Sequence, residues 1–203
     1  MTGEPVNCVV VGVGGQGIIL ISRIIGEAAL DSDLNVMVSE IHGMAQRGGV
    51  VESAVLLGDA MSPIVSDGEA DVLIGFEPLE TMRALAKCNE KTLVITNTRP
   101  LPPFTVSLGQ GIYPPVDEVL DLICSKINDV MALNGNELAE KAGNPLSLNM
   151  VMLGALFGSG ALSMTGDIMK KTITGSTKKA FLESNLKAFD LGMEEAKRLK
   201  RKV

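Results

Sequence analysis

The sequence predicts an α/β fold: a Rossmann-like, doubly wound, mostly parallel sheet with a C-terminal helical extension. The apolar run from Val6 to Val11 leads into a glycine-rich segment and then a helical pattern, which is the strand–loop–helix order of such a sheet. Strand-like and helix-like segments then alternate as far as Asn97. Beyond that point the alternation loosens, and residues 145–203 are expected to be mostly helical within a single domain of residues 1–203.

Hydrophobic periodicity predicts the elements of the first half. Gln16 to Leu30 has apolar residues at helical spacing, and a second helix is predicted from Leu79 to Lys87. Short segments that are β-branched or continuously apolar predict the other strands: Asn35–Ser39, Val50–Leu57, Asp71–Phe76 and Thr92–Thr96.

Proline and glycine residues mark the predicted loops and helix ends in the second half of the chain. Arg99–Pro103 and Tyr113–Pro115 are predicted loops, and Asp117 is expected to cap a helix that ends at Cys124. The uncharged stretch Ala142–Gly166 is interrupted by polar residues and glycines, so a buried or interface helix is expected there instead of a membrane span. A strand is predicted at Asp129–Leu133, and a short helix at Asn136–Ala142 is expected to end at Gly143. An amphipathic helix is predicted at Thr177–Arg201.

Composition and charge restrict the class of function. The chain has 203 residues and a net charge of -6, and its basic cluster Lys197–Lys202 is interpreted as a solvated tail, so no nucleic-acid partner is expected. The N-terminal sequence does not resemble a secretory signal, and we expect a cytoplasmic protein with no membrane association. The scattered cysteines Cys8, Cys88 and Cys124 fit a reducing compartment and argue that this chain alone holds no iron–sulfur cluster.

The first glycine-rich loop has the G-x-G-x-x-G spacing in the sequence G-V-G-G-Q-G. Gly12 would permit the tight turn, Gly14 would let the backbone approach a phosphate, and Gly17 would let helix and strand pack closely. Glu40 would then meet a ribose hydroxyl at the end of the second strand. Two interpretations remain open from spacing alone: dinucleotide binding, or glycines that serve strand–helix packing whatever is bound.

A second glycine-rich loop runs from His42 to Gly49 and contains the single histidine of the chain. Its glycines make a poor helix interior, so a loop presenting His42, Gln46 and Arg47 is predicted. Arginine is a planar donor suited to carboxylate or phosphate, and histidine titrates near neutral pH. A structural histidine and an arginine paired with a surface acid are the alternatives.

The two loops belong to a longer set of recognisable segments. These are GVGGQGI at Gly12–Ile18, SEIHGMAQRGG at Ser39–Gly49, EADVLIGFEPLE at Glu69–Glu80, NTRPLPP at Asn97–Pro103 and NMVMLGAL at Asn149–Leu156. In this order they resemble the gamma-type subunits and domains of the 2-oxoacid:ferredoxin oxidoreductases. The I-H-G-M-A-Q-R-G-G form of the second loop is similar to the arylpyruvate type, the beta subunits of indolepyruvate ferredoxin oxidoreductases. The resemblance implies a single pyruvate/ketoisovalerate oxidoreductase gamma-type catalytic domain.

This resemblance implies an oxidoreductase activity that the chain does not perform alone. The reaction joins a 2-oxoacid, coenzyme A and oxidised ferredoxin to give an acyl-coenzyme A, carbon dioxide and reduced ferredoxin. Thiamine diphosphate and iron–sulfur clusters would sit on an alpha subunit in a hetero-oligomer, since this sequence has no thiamine motif and no cysteine run. No tightly bound cofactor is expected on this chain, coenzyme A is expected as a co-substrate, and the isolated chain is expected to be able to form a homodimer.

The resemblance also implies a site built from the two loops. His42 and Arg47 are the catalytic candidates, with Arg47 as the anion clamp. The candidates for binding a cofactor or co-substrate are Gly12, Gly14, Gly15, Gln16, Gly17, Gln46, Gly48 and Gly49. The alternative is that both loops mainly shape the subunit interface.

Segments at the ends of later strands supply further candidates. Asn97 and Arg99 follow a predicted strand and could face the same crevice. Glu77 to Glu80 could face it too, or could begin a helix whose N-terminus favours acids.

Other classes of function remain in competition. A gamma-type subunit could act on another 2-oxoacid. A freestanding NAD(P)-dependent oxidoreductase would need a further catalytic group such as Tyr-x-x-x-Lys, and Tyr113 is followed by Pro114 and Pro115 instead. A Rossmann-like regulatory module that binds a nucleotide without chemistry is the third class.

Overall fold

The fold is that of a computed structural model, which describes residues 5–43, 49–103, 106, 108–109 and 111–201. The described residues form one six-stranded sheet. Its strands are β1 (Val6–Val13), β2 (Val36–His42), β3 (Val50–Leu57), β4 (Ala70–Gly75), β5 (Cys88–Asn97) and β6 (Asp129–Leu133). They lie in the order β2-β3-β1-β4-β5-β6.

The sheet is mostly parallel, as predicted, with one reversed strand. β1, β4, β5 and β6 pair in parallel, whereas β3 pairs antiparallel with both β1 and β2. A sheet that bound a dinucleotide in the usual way would place its second strand beside the first. Here β3 separates β2 from β1, and this arrangement was not predicted from the sequence.

The helices surround this sheet and account for most of the chain after residue 145. They are α1 (Ile18–Leu30), α2 (Pro78–Arg83), α3 (Val116–Lys126), α4 (Gly135–Lys141), α5 (Leu148–Ser159), α6 (Gly166–Ser176) and α7 (Leu182–Lys200). Helix α6 was not predicted. The predicted helix from Leu79 to Lys87 is the short α2 followed by a 3-10 turn at Ala84–Lys87.

Helix α3 corrects one capping prediction. Asp117 was expected at the cap, but Pro115 occupies that position and Asp117 lies in the first turn. Acidic side chains in the first turn interact favourably with the positive end of the helix dipole. Asp117 therefore stabilises the N-terminus of α3 through its charge and not as the N-cap.

Alternate residues of the central strand β1 face two separate cores. Cys8 and Val10 belong to the larger cluster with helices α1, α5, α6 and α7, and Val9 and Val11 belong to a smaller cluster with α3. This period of two, with both faces covered, is the reason β1 has a continuous apolar sequence. Burial raises the pKa of the Cys8 thiol to about 12.

Helix α5 is buried on nearly every side and packs tightly against α7. A Cβ atom on Gly154 would collide with the Phe189 carbonyl oxygen, and one on Gly192 with the Val151 carbonyl oxygen. Gly158 is similarly close to α7. The uncharged segment is therefore an internal helix, and no helix among the described ranges is long and apolar enough to cross a membrane.

We predict that Gly154→Ala lowers the free energy of unfolding by about 3 kcal/mol, because the added methyl group must separate two helix backbones that are in contact. Gly175→Ala in α6 is the matched control, since nothing lies within 4 Å of the added atom. It should leave stability unchanged or raise it by up to ~1 kcal/mol through helix propensity. Urea unfolding of both variants measures the difference, and equal effects would contradict the close packing of α5 on α7.

Candidate functional site

The first glycine-rich loop lies at the carboxyl edge of the sheet, beside Gly43 and Gly49, the described residues at the two ends of the second loop. Because β3 runs opposite to β1, its first residue, Val50, pairs with Val13, the last residue of β1. The Gly14 N–H donates to the Gly49 carbonyl oxygen at 2.9 Å, and the Gly43 N–H donates to the Val50 carbonyl oxygen at 2.8 Å. A backbone hydrogen bond thus joins the first loop to the end of the second.

The Gln16 side chain fixes the shape of the first loop. Its Oε1 accepts a hydrogen bond from the Val13 N–H at 2.7 Å, and its Nε2 donates to the Phe76 carbonyl oxygen at 3.1 Å. Gly12 lies under this amide: a Cβ there would be 2.7 Å from Gln16 Oε1 and 2.8 Å from Phe76 Cβ. Gly12 and Gln16 therefore connect the ends of β1 and β4.

Gly15 and Gly17 both have left-handed backbone conformations, with φ values of 101° and 86°. Gly17 is the N-cap of α1, and a Cβ at this position would be 2.7 Å from Asn149 Nδ2 of α5. Gly15 is exposed, with nothing within 4 Å of the position a Cβ would take. The backbone N–H groups in the first turn of α1 have no partner within the helix. This turn begins a few residues after the exposed Gly15.

This geometry differs from the phosphate-binding arrangement that the spacing suggests. The Gly14 N–H is already donated to Gly49, and Gln16 is held by main-chain groups of the protein. Glu40 does not take the ribose position, because its strand is separated from β1 by β3. In this conformation Gly12, Gly14 and Gly17 take part in loop–loop and loop–helix contacts, whereas Gly15 faces open space.

Asn97 connects the end of β5 to the same region. Its Nδ2 donates to the Phe76 carbonyl oxygen and to Asn136 Oδ1, each at 3.0 Å, and its Oδ1 accepts from the Gly135 N–H at 3.0 Å. The Phe76 carbonyl therefore accepts from both Asn97 and Gln16, which links the glycine loop to β5 and α4. Asn97 is buried, so it acts through these bonds and does not face solvent.

Glu77 holds the loop that follows β5. Its Oε2 accepts from the Glu80 N–H at 3.0 Å and caps α2, while its Oε1 accepts from the Leu101 N–H at 3.2 Å and from the Tyr113 hydroxyl. Of the two interpretations of the Glu77–Glu80 segment, the structure places Glu77 at a helix start. Burial and the hydrogen bond to Glu77 raise the pKa of Tyr113, and burial raises the pKa of Glu80, which binds Arg83 at 2.6 Å.

A cleft of about 210 Å³ lies between the glycine loop and the loop after β5. Its walls are Gly15, Gln16, Arg99, Pro100, Leu101, Asn136, Pro145, Leu146 and Leu148. The Arg99 guanidinium lies 3.9 Å from the Glu140 carboxylate, and both side chains are more than half exposed. That pair is weak, so the Arg99 charge stays available to an anion in the cleft.

The structure brings together six of the predicted binding residues: Gly12, Gly14, Gly15, Gln16, Gly17 and Gly49. Gln46, Arg47 and Gly48 lie outside the described residues, as does the His42 side chain, although His42 itself is the last residue of β2. Asn136 and Leu146 were not predicted to line a site. Asn136 lies in the first turn of α4 and Leu146 in the 3-10 turn before α5, and only their three-dimensional position shows that they line the cleft.

We predict that the isolated chain shows no saturable binding of NADH in the micromolar range. The Gly14 N–H is occupied and β2 is displaced from β1, so the usual pyrophosphate and ribose contacts are missing. Fluorescence titration measures this, with a dinucleotide-binding dehydrogenase as positive control. Micromolar affinity would contradict the packing role of the glycine loop.

Comparison with known proteins identifies the family. The pyruvate ferredoxin/flavodoxin oxidoreductase family model matches residues 7–195. The indolepyruvate oxidoreductase subunit IorB of Methanothermobacter thermautotrophicus is 44% identical over 190 residues, which are 94% of this chain and 97% of that protein. The corresponding Archaeoglobus fulgidus protein is 42% identical, covering 94% of each chain.

A solved structure has the same fold at low sequence identity. The gamma subunit of a keto/oxoacid ferredoxin oxidoreductase from Geobacter sulfurreducens superposes with a TM-score of 0.70 at 24% identity, covering 95% of this chain and 99% of that one. The fold and the family model agree over almost the whole chain. The chain therefore belongs to the pyruvate ferredoxin/flavodoxin oxidoreductase family.

Proposed function

We propose that this chain is the beta subunit of an indolepyruvate ferredoxin oxidoreductase. The observation that carries the proposal is the similarity of nearly the whole chain to indolepyruvate oxidoreductase subunits at 37–44% identity. In the reaction, an arylpyruvate and coenzyme A give an acyl-coenzyme A and carbon dioxide, and two electrons pass singly to ferredoxin. The complex would act in the cytoplasm.

Thiamine diphosphate and iron–sulfur clusters belong to the alpha subunit in this proposal. Thiamine diphosphate supplies carbanion stabilisation at the 2-oxoacid carbon when it is bound there. The described residues of this chain contain no group of three or more histidine, cysteine or acidic side chains placed to hold a metal ion. In this proposal the chain binds and orients anionic substrate groups at the subunit boundary and excludes water from it.

The carboxyl edge of the sheet is the surface that would face the alpha subunit. Exposed apolar side chains lie at the glycine loop and the cleft: Leu101 and Leu146 line the cleft, Val50 pairs with the end of β1, and Ile19 lies in the first turn of α1. A concentration of exposed apolar groups around a cleft is typical of a surface that another protein covers. Burial of this surface would also lower the dielectric constant around the cleft, which strengthens any ion pair formed in it.

The cleft has the charges needed to hold an anion. The N-terminus of α1 carries a partial positive charge, and Gly15 leaves open space in front of it. Arg99 adds a full positive charge from the opposite wall, and Asn136 adds a polar group. The ligand would be the 2-oxoacid carboxylate or a phosphate of coenzyme A, with Arg47 as the second clamp and His42 as a candidate for proton transfer.

We expect oxidoreductase activity in the complex of this chain with the alpha subunit, and none from this chain alone. Each preparation is purified without oxygen and assayed for dye reduction with indolepyruvate and coenzyme A. Thiamine and iron should be found on the larger subunit. Full activity of the alpha subunit without this chain would refute the proposed role.

Arg99→Ala and Arg47→Ala in the assembled complex should each raise KM for indolepyruvate or coenzyme A by roughly tenfold or more, which corresponds to one lost charge-assisted contact. Arg23→Ala is the matched control, since Arg23 is an exposed arginine that pairs with Glu27 on α1 away from the cleft. Size-exclusion chromatography confirms assembly of each variant. Unchanged kinetics for both variants in an assembled complex would remove the cleft and the second loop from substrate binding.

A subunit acting on another 2-oxoacid is the second candidate. The chain is also 28% identical to the 2-oxoglutarate synthase subunit KorC of Archaeoglobus fulgidus, over 97% of its length. A panel of 2-oxoacids distinguishes the candidates: kcat/KM highest for arylpyruvates supports the first, and highest for 2-oxoglutarate or pyruvate supports the second.

A further inference from the structure

The two edge strands of the sheet, β2 and β6, differ in the exposure of their apolar side chains. β2 is an edge strand of seven residues, and no other strand among the described residues pairs with its outer side. Three of its apolar side chains are exposed: Met37 by 37%, Val38 by 40% and Ile41 by 60%. β6, the opposite edge strand, is shorter, and its Met131 and Leu133 side chains are buried.

The exposed apolar groups lie on both faces of β2. Val38 faces α1, because its Cγ2 would be 3.3 Å from a Cβ on Gly26. Met37 and Ile41 share the opposite face with Ser39, whose hydroxyl donates to the Pro63 carbonyl oxygen at 2.6 Å. A helix or loop docked on one face would leave the other uncovered. Another strand added to the edge covers both.

An edge strand with exposed apolar side chains tends to pair with a further strand. Natural proteins protect edge strands with lysine, proline, bulges or short length, and β2 contains no lysine or proline. The neighbouring segment adds further exposed apolar side chains at Met61 and Ile64. The free edge therefore has the features of a pairing surface, and Glu40 is its one acidic residue.

One antiparallel register brings the exposed apolar side chains of one face of β2 together. If two copies pair about an axis at Ser39, Met37 of each lies opposite Ile41 of the other at about 5 Å, while Val38 of each lies opposite Glu40 on the other face. An axis at Val38 would place Met37 opposite Ser39 and leave Ile41 outside the apolar pairing. An axis at Glu40 would place two like charges directly opposite each other, which is destabilising.

We propose that β2 pairs with β2 of a second copy of this chain, antiparallel about Ser39, and joins two sheets into one continuous sheet. The pairing is isologous, so each Met37–Ile41 contact occurs twice. It lies on the side edge of the sheet and involves no residue that lines the cleft. The proposal stands whether or not the chain acts on indolepyruvate.

Paired charge substitutions test this register in the full-length chain. Met37→Lys and Ile41→Glu each place a charge opposite an apolar side chain, and each should weaken dimerisation by roughly tenfold or more. The double variant places each lysine opposite a glutamate of the second copy and should recover most of the lost affinity. Leu122→Lys on α3, which is 41% exposed in the wild type, is the matched control.

Sedimentation equilibrium gives the dissociation constant of each variant, and circular dichroism confirms that each is folded. A wild-type dimer, two weakened single variants and a recovered double variant together support the proposal. A wild-type monomer at high concentration overturns it, and so does a dimer insensitive to both single substitutions. Failure of the double variant to recover overturns the register at Ser39. Loss of alpha-subunit binding by Met37→Lys would assign this edge to the other subunit and also overturn it.

Discussion

A single backbone hydrogen bond, from the Gly14 N–H to the Gly49 carbonyl oxygen, joins the first glycine-rich loop to the start of β3 at the carboxyl edge of this protein. It forms because β3 is inserted antiparallel between β1 and β2, so that the start of β3 meets the end of β1. Without that reversal Gly49 would lie at a distance from the first loop. The cleft, the exposed apolar surface and the position of His42 at the end of β2 all follow from the same strand arrangement.

The Phe76 carbonyl oxygen extends this arrangement across the sheet. It accepts hydrogen bonds from Gln16 and Asn97, and so links the ends of β1, β4 and β5. Glu77, the next residue, binds Leu101 and Tyr113 and holds the loop that carries Arg99. Buried polar networks of this kind are costly when incomplete, so substitution of one member is expected to displace the cleft wall as well as lower stability.

The sequence predicted most of the architecture and less of the site. Strands such as Val50–Leu57 and Asp129–Leu133 were predicted with their observed bounds, because β-branched residues between turn signals are a local property. The direction of β3 was not predictable, since alternation of apolar residues carries no information on which neighbour a strand pairs with. Helix α6 was missed because its polar, β-branched and glycine residues have low helix propensity, although Met169, Thr172 and Ile173 lie at helical spacing.

The glycine loop shows the same limit at the level of single residues. The G-x-G-x-x-G spacing correctly predicts a strand, a tight turn and a helix, and Gly12 and Gly17 are required by close contacts. Spacing alone cannot show that the Gln16 amide binds Val13 and Phe76, or that Gly14 donates to Gly49. The contacts with Phe76 and Gly49 depend on residues far away in sequence, and they show that the motif residues also have a packing role that spacing does not reveal.

Hydrogen–deuterium exchange of this chain, alone and with the alpha subunit, tests most directly whether the joined loops form the subunit boundary. The account predicts that assembly protects backbone amides at the carboxyl edge, in residues 13–20, 98–103 and 144–148. It predicts little change at the amino edge, where Pro5, Asp71 and Lys91 line a separate cleft. Protection confined to the amino edge, with the loops unaffected, would contradict the account.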